Sequence, residues 1–254
     1  MIMVHFVGAG PGAPDLITVR GKELLEKTDC IIYAGSLVNP ALLDYAKEGC
    51  KVYNSAEMTL EQVIDVMKEF DKEGKDLVRL HTGDMSLYGA IREQMDWLDE
   101  LGIEYDDTPG VSAFSGAAAA LCAEYTLPNV SQSVIITREA GRTPVPEKES
   151  VTSFSKHGAT MVLFLSSTLL EDLQKDLLAG GVYTEDTPAA IVYKATWPDQ
   201  KVCRCTVGTI AQTAKDNDIH KMALILVGGF LGNEYDRSKL YHPGFTTEFR
   251  KATK

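Results

Sequence analysis

Residues 5–18, His-Phe-Val-Gly-Ala-Gly-Pro-Gly-Ala-Pro-Asp-Leu-Ile-Thr, constrain the fold more than any other stretch of the chain. The apolar start, Met1 to Val4, continues through Phe6 and Val7 in the manner of a buried strand. Gly8, Gly10, Pro11, Gly12 and Pro14 interrupt it, and a helical pattern resumes at Val19. Glycine removes side chains where a ligand must lie against backbone, and proline stiffens the path between. The loop is therefore expected to form a rigid ligand-facing wall, with its glycines serving close approach.

By spacing alone, Gly8-x-Gly10-x-x-Ala13 meets the dinucleotide fingerprint, and Asp29 follows at the separation of a ribose-binding acid. The context argues otherwise. Asp29 precedes the apolar run Cys30-Ile-Ile-Tyr-Ala34, whereas the ribose acid closes the second strand. Pro11 and Pro14 also remove two backbone donors from the segment that would hold a pyrophosphate.

A chain of 254 residues, 44% hydrophobic, has the material for one large or two smaller domains. With 25 basic against 36 acidic residues the net charge is −11, which disfavours nucleic acid or anionic lipid as partners. An anionic ligand must find a local basic patch. Cys30, Cys50, Cys122, Cys203 and Cys205 are scattered and odd in number, and no CxxC pair suggests zinc or a disulfide framework, so no metal site is expected. The longest strongly apolar stretch, Met222–Leu231, is shorter than the roughly 20 residues a membrane span needs. The N-terminus lacks the basic start of a signal peptide. A reducing cytoplasm is the expected setting.

Apolar runs and helical patterns then alternate. Val19 to Lys27 reads as a helix and Cys30 to Ala34 as a strand; Asn39-Pro40 opens a further helical turn. Thr59-x-x-Gln62 forms a capping box ahead of Leu60, Val63, Ile64, Met67 and Phe70 on one helical face. Strand 76–80 delivers His81-Thr-Gly-Asp84 to a loop. Asp84 there fits either a turn residue or a ligand contact at a strand's carboxyl end. His81 reads as structural, since no catalytic partner is visible. Pro109-Gly-Val-Ser112 leads into the small-residue run around Ala113–Ala120, which permits either backbone approach to a ligand or tight helix packing. Residues 123–130 form the expected junction, giving domains 1–125 and 126–232 and an extension, 233–254, with too many apolar residues for a free tail. In the second half, strands are expected at 133–137, 160–165, 189–193, 202–207 and 223–227, with capping boxes at Thr168-x-x-Glu171 and Thr209-x-x-Gln212. Arg138 and Arg142, in a stiff loop ending Thr-Pro-Val-Pro146, and Lys148 just beyond it are expected to supply the basic patch an acidic substrate requires.

Taken together, Val7-Gly-Ala-Gly-Pro-Gly-x-Pro-x-Leu-Ile-Thr18, Leu80-His-Thr-Gly-Asp84 with Tyr88-Gly89, and Pro109-Gly-Val-Ser-Ala113 closely resemble the tetrapyrrole methylase family across essentially the whole chain. Thr137-Arg-x-x-Gly-Arg-Thr-Pro-Val-Pro146, Ser238-Lys-Leu-Tyr241, Phe245-Thr246 and Phe249-Arg250 resemble the branch that methylates precorrin-4, or its cobalt complex, at C-11 in cobalamin synthesis. The resemblance implies an α/β fold of two α/β domains with mixed sheets, holding S-adenosylmethionine in a cleft between them, and a homodimer. Carried over by position, the cofactor contacts are Pro11, Thr82, Gly83, Asp84, Leu87, Ser112, Ala113, Leu165 and Ala195, the last two from the second domain. Arg138, Arg142 and Tyr88 are the expected substrate contacts, and no catalytic base is assigned. Met85 stands where relatives commonly have proline, so the Asp84 loop is expected to be less rigid; Thr247 stands where branch members often have histidine.

The chemistry implied is attack of an electron-rich ring carbon on a sulfonium methyl, which orientation alone can promote strongly. Two other readings are a same-fold methyltransferase for another precorrin position or uroporphyrinogen III, and a non-catalytic tetrapyrrole-binding protein.

Overall fold

The computed structural model describes residues 3–253. They divide into two compact units, one running to Ala119 and including Lys194–Gln200, the other Ala120–Tyr193 with the chain from Lys201 onward. The division falls inside a helix, earlier than the junction read from composition, and the 194–200 loop returns to the first unit.

The first unit is built from β1 (Val4–Gly8), α1 (Val19–Lys27), β2 (Cys30–Tyr33), β3 (Lys51–Asn54), α2 (Leu60–Lys72), β4 (Leu77–His81), α3 (Arg92–Leu101), β5 (Tyr105–Thr108) and α4 (Ala113–Leu121). Its strands lie in the order β3-β2-β4-β1-β5 and pair in parallel, with Gly8 opposite His81 and Val7 opposite Thr108. A parallel sheet needs both faces covered, which explains the near-continuous apolar runs of β1, β2 and β4. Phe6, Ile32, Ile64, Met67, Phe70 and Leu98 fill one face; Val7, Leu25, Ile31, Leu42, Val78 and Leu80 fill the other. Both Thr59–Gln62 capping hydrogen bonds form at α2. At α1 the Thr18 hydroxyl accepts from Gly21 N.

β3 escaped the sequence reading because, as a short edge strand, it alternates weakly and leaves Lys51 and Val52 exposed. The Asn39-Pro40 start is capped as expected by Asn39 Oδ1 on Ala41 N, but the turn is 3₁₀.

The second unit holds β6 (Val134–Arg138), α5 (Val151–Ser155), β7 (Thr160–Phe164), α6 (Leu170–Ala179), β8 (Pro188–Tyr193), β9 (Lys201–Thr206), α7 (Ile210–Asp216) and β10 (Ala223–Val227). The order is β6-β7-β10-β8-β9. β6 and β7 are parallel and the remaining pairs antiparallel, so this sheet is mixed. Met161, Leu163, Leu173, Leu177, Ile191, Ile210 and Ile225 form its core. Two expected capping boxes do not form. α6 starts one residue later, with Leu169 at its N-cap, and the box near α7 is Thr206 with Thr209, because a 3₁₀ turn precedes the helix.

Candidate functional site

Parallel pairing brings the carboxyl ends of β1, β4 and β5 to one sheet edge, where binding crevices of open α/β sheets form. Three loops meet there. The opening loop joins the β4 loop by two backbone hydrogen bonds, Gly10 N to Gly83 O at 3.2 Å and Gly83 N to Gly10 O at 2.9 Å. A Cβ on Gly8 would lie 2.5 Å from Gly110 Cα and 2.7 Å from Gly83 O. One on Gly12 would collide with the Trp197 indole and sit 2.9 Å from the Ala195 carbonyl, and one on Gly116 would lie 2.8 Å from Pro11 Cβ.

These contacts correct the expectation for the glycines. Gly8, Gly12, Gly110 and Gly116 serve protein-to-protein approach, letting three loops, α4 and the 194–200 segment close on one another. Gly10, at φ +80°, spends its N–H on Gly83, so it has no donor left for a pyrophosphate. The Ala13 N–H likewise bonds to Thr196 Oγ1, at 2.9 Å.

Asp84 acts largely inside the protein. Its Oδ2 accepts from Gly110 N at 2.9 Å, and its Oδ1 accepts from Ser86 N at 3.0 Å and from the Ser86 hydroxyl. Partial burial disfavours the charged carboxylate, but these donors outweigh it and hold Asp84 below its usual range. The Asp84 carboxylate is thus a strut between the β4 and β5 loops. The Thr82 hydroxyl donates to Leu37 O at 2.9 Å. The Met85 side chain is buried in the core under the sheet, and its carbonyl packs on Gly89. Leu87 N closes the turn on Asp84 O.

The structure therefore gathers Pro11, Thr82, Gly83, Asp84, Leu87, Ser112, Ala113 and Ala195 around one edge of the first unit. Gly83 abuts Ser112 and Ala113 at the start of α4, and Ala195 arrives through Gly12. The Ser112 hydroxyl and the Ala113 N–H have no hydrogen-bond partner among the described residues. Tyr88 and Ala90 beyond Leu87, and Lys194 and Thr196 beside Ala195, have positive φ of 46–69°. Such strain costs on the order of 1–3 kcal/mol per residue and concentrates at functional sites. Leu165, in the second unit, is also strained, at φ 51°, and largely exposed at the end of β7.

Behind the edge, His81 and Arg79 are buried on β4. Burial, with Arg79 adding to it, pushes the His81 imidazole down to about 3, so it is neutral; it stacks on Phe6, and its Nε2 has no partner among the described residues. Arg79 donates to Gln94 Oε1 and Ile32 O. Burial and stacking give His81 the surroundings of a packed core residue.

In the second unit, the Arg138 guanidinium donates to the carbonyls of Glu139, Thr143 and Pro144 and so staples its own loop. That engagement leaves Arg142 and the nearby Lys148, both exposed and without an ion pair among the described residues, as the available cations. Glu139 was missed in the sequence reading. Its N–H donates to Ser166 Oγ, its Oε1 accepts from Ala140 N, and its buried Oε2 has no partner among the described residues. Burial raises its pKa, with Asp176 and Asp172 contributing. A charged residue directly after an arginine in a loop gives no sequence signal of burial.

Comparison with known proteins gives this arrangement a lineage. The family model for tetrapyrrole (corrin/porphyrin) methylases matches residues 3–211. A cobalt-precorrin-4 C(11)-methyltransferase of Methanocaldococcus jannaschii is 52% identical, over 99% of this chain and 97% of its own. One from Priestia megaterium is 46% identical, over 99% and 98%. The X-ray structure of a cobalt precorrin-4 methyltransferase, described as a cobalamin biosynthetic enzyme, superposes with a TM-score of 0.88 at 47% identity, covering 91% of this chain and 96% of its own. The chain belongs to the tetrapyrrole methylase family.

Proposed function

We propose that this chain is an S-adenosylmethionine-dependent methyltransferase that methylates precorrin-4, or its cobalt complex, at C-11 in cobalamin biosynthesis. The observation that carries this reading is 52% identity over 99% of the chain to a C(11)-methyltransferase. The site residues fit the cofactor. Ser112 keeps a hydroxyl and Ala113 an N–H with no hydrogen-bond partner among the described residues, both packed against Gly83. Bound there, S-adenosylmethionine supplies an activated methyl group on sulfonium sulfur. The chain's own task is to hold donor and ring carbon in line and exclude water, worth on the order of 7–11 kcal/mol in favourable cases. The Gly10–Gly83 bridge and the Asp84 strut brace the wall that this alignment calls for. Arg142 and Tyr88 are the substrate contacts in this reading, with Arg138 holding the loop that presents Arg142.

The family resemblance also supports a homodimer. The five cysteines, all free, fit a cytoplasmic setting, and no helix among the described residues is long and apolar enough to cross a membrane. Incubation with methyl-labelled cofactor and either cobalt-precorrin-4 or precorrin-4, followed by mass spectrometry and position-resolved NMR of the product, tests the assignment. A C-11 methyl is the expected product; methylation elsewhere on the ring, or none, would reject it.

A further inference from the structure

The C-terminal segment is ordered by an unusual device. The Arg250 guanidinium donates to the carbonyls of Leu240 at 2.9 Å, His242 at 3.0 Å, and Tyr241 and Phe245 at 3.5 Å. Thr247 N bonds to Arg250 O, Arg250 N to Thr247 Oγ1, and Thr253 N to Pro243 O. The chain is thus wound around one side chain, yet its aromatic surface faces outward: Tyr241 is 79% and Phe249 93% exposed. Ordering a backbone costs roughly 1–2 kcal/mol per residue, and burial of these aromatic rings supplies little of it. Residues 237–254 also carry five cations against one carboxylate on a chain of net charge −11. Arg237, Lys239 and Lys251 are exposed and make no ion pair among the described residues. The family match ends at residue 211, whereas identity to the C(11) relative runs over 99% of the chain and so takes in this segment.

We propose that residues 237–253 form a recognition arm for the carboxylate-edged tetrapyrrole. In it Arg237, Lys239 and Lys251 pair with ring-edge carboxylates, and Tyr241 and Phe249 lie against the macrocycle. Arg250 is a positioning residue that preorganises the arm. The proposal rests on the methylase reading, and it answers the requirement that an acidic chain present a local basic patch to an anionic substrate.

The test titrates uroporphyrin III, a stable octacarboxylate, into the full chain and into a triple variant, R237E/K239E/K251E, by fluorescence. S-adenosylhomocysteine binding by calorimetry and solution mass are measured alongside. The altered side chains are exposed, so folding is expected to be retained, and circular dichroism checks it. Expected are a roughly tenfold or greater loss of porphyrin affinity in the variant, salt-weakened binding by the wild type, and unchanged cofactor-product affinity and mass. A second variant, Y241A/F249A, is expected to lose affinity without changing the salt dependence. Equal porphyrin affinity in all three proteins, or no porphyrin binding by the wild type, overturns the arm. A change of mass as the sole effect overturns it too, since the segment is then an interface between copies. Failure of the wild type to bind S-adenosylhomocysteine strikes the methylase reading instead.

Discussion

Replacement of Gly8 by alanine tests the close approach of the three loops. The added methyl would stand 2.5 Å from Gly110 Cα, 2.6 Å from Gly110 N and 2.7 Å from Gly83 O, all backbone atoms that no rotamer change can move. Overpacking of a dense region costs typically 1–3 kcal/mol. Separating the loops also strains the two Gly10–Gly83 hydrogen bonds, each worth about 0.5–1.5 kcal/mol. Reduced freedom of the unfolded chain returns about 0.4–1 kcal/mol. The net loss is about 3 kcal/mol, a fall in melting temperature of roughly 6–12 °C for a chain of this size. Gly49→Ala is the control: at φ +81° with no atom within 4 Å, it carries conformational cost without steric cost, about 1 kcal/mol. Calorimetric melting of both variants, with amide exchange at Gly10 and Gly83, decides the matter. If Gly8→Ala melts within about 2 °C of wild type, or no lower than Gly49→Ala, the glycines do not serve backbone packing and the reasoning fails.

Gly12→Ala is expected to displace the Trp197 indole and cost about 1–3 kcal/mol, with much of the loss recovered in the pair Gly12→Ala/Trp197→Ala; tryptophan emission and a double-mutant cycle measure it. Asp84→Asn faces an amide donor toward the donors that the carboxylate satisfies, and should cost about 2 kcal/mol at neutral pH. Because the native Asp84 carboxyl titrates below its unfolded value of 3.8, its contribution is complete above that value and lost as pH falls through the native one. The gap between wild type and Asp84→Asn in urea unfolding should therefore close at strongly acid pH. His81 has the same sign: neutral and depressed to about 3 in the fold against 6.5 unfolded, it makes stability fall as pH drops from 6.5 toward 3. The slope approaches about 1.4 kcal/mol per pH unit; in His81→Leu the acid limb should be shallower by up to that amount, and an unchanged slope would return the imidazole to solvent.

Much of the fold was legible because its signals are local. Strands β1, β2 and β4 are apolar runs of strand length, and the Thr59–Gln62 box and the apolar face of α2 are set by residues within a few positions of one another. Local signals failed where neighbours decide. Thr168 and Thr209 have capping-box spacing, but α6 begins one residue too late for Thr168 to cap it, and Thr209, though the N-cap of α7, turns its hydroxyl oxygen back to accept from Thr206 N. β3 exists because β2 offers it a parallel edge, with Ile31 opposite Val52.

The division is sharpest at the sheet edge. Sequence alone determined the α/β class and the family, because spacing and residue type carry those. The tertiary structure decided what each polar or glycine residue does. Asp84 looked equally like turn and ligand contact until Gly110 N and Ser86 were found on its oxygens, and Gly8 and Gly12 looked like room for a ligand until Gly110 and Trp197 filled that room. Arg138 looked like an open cation until its own loop's carbonyls surrounded it. In each case the deciding partner lies on another segment or across a loop. Hydrogen-bonding capacity, once spent on that partner, is no longer available to a ligand.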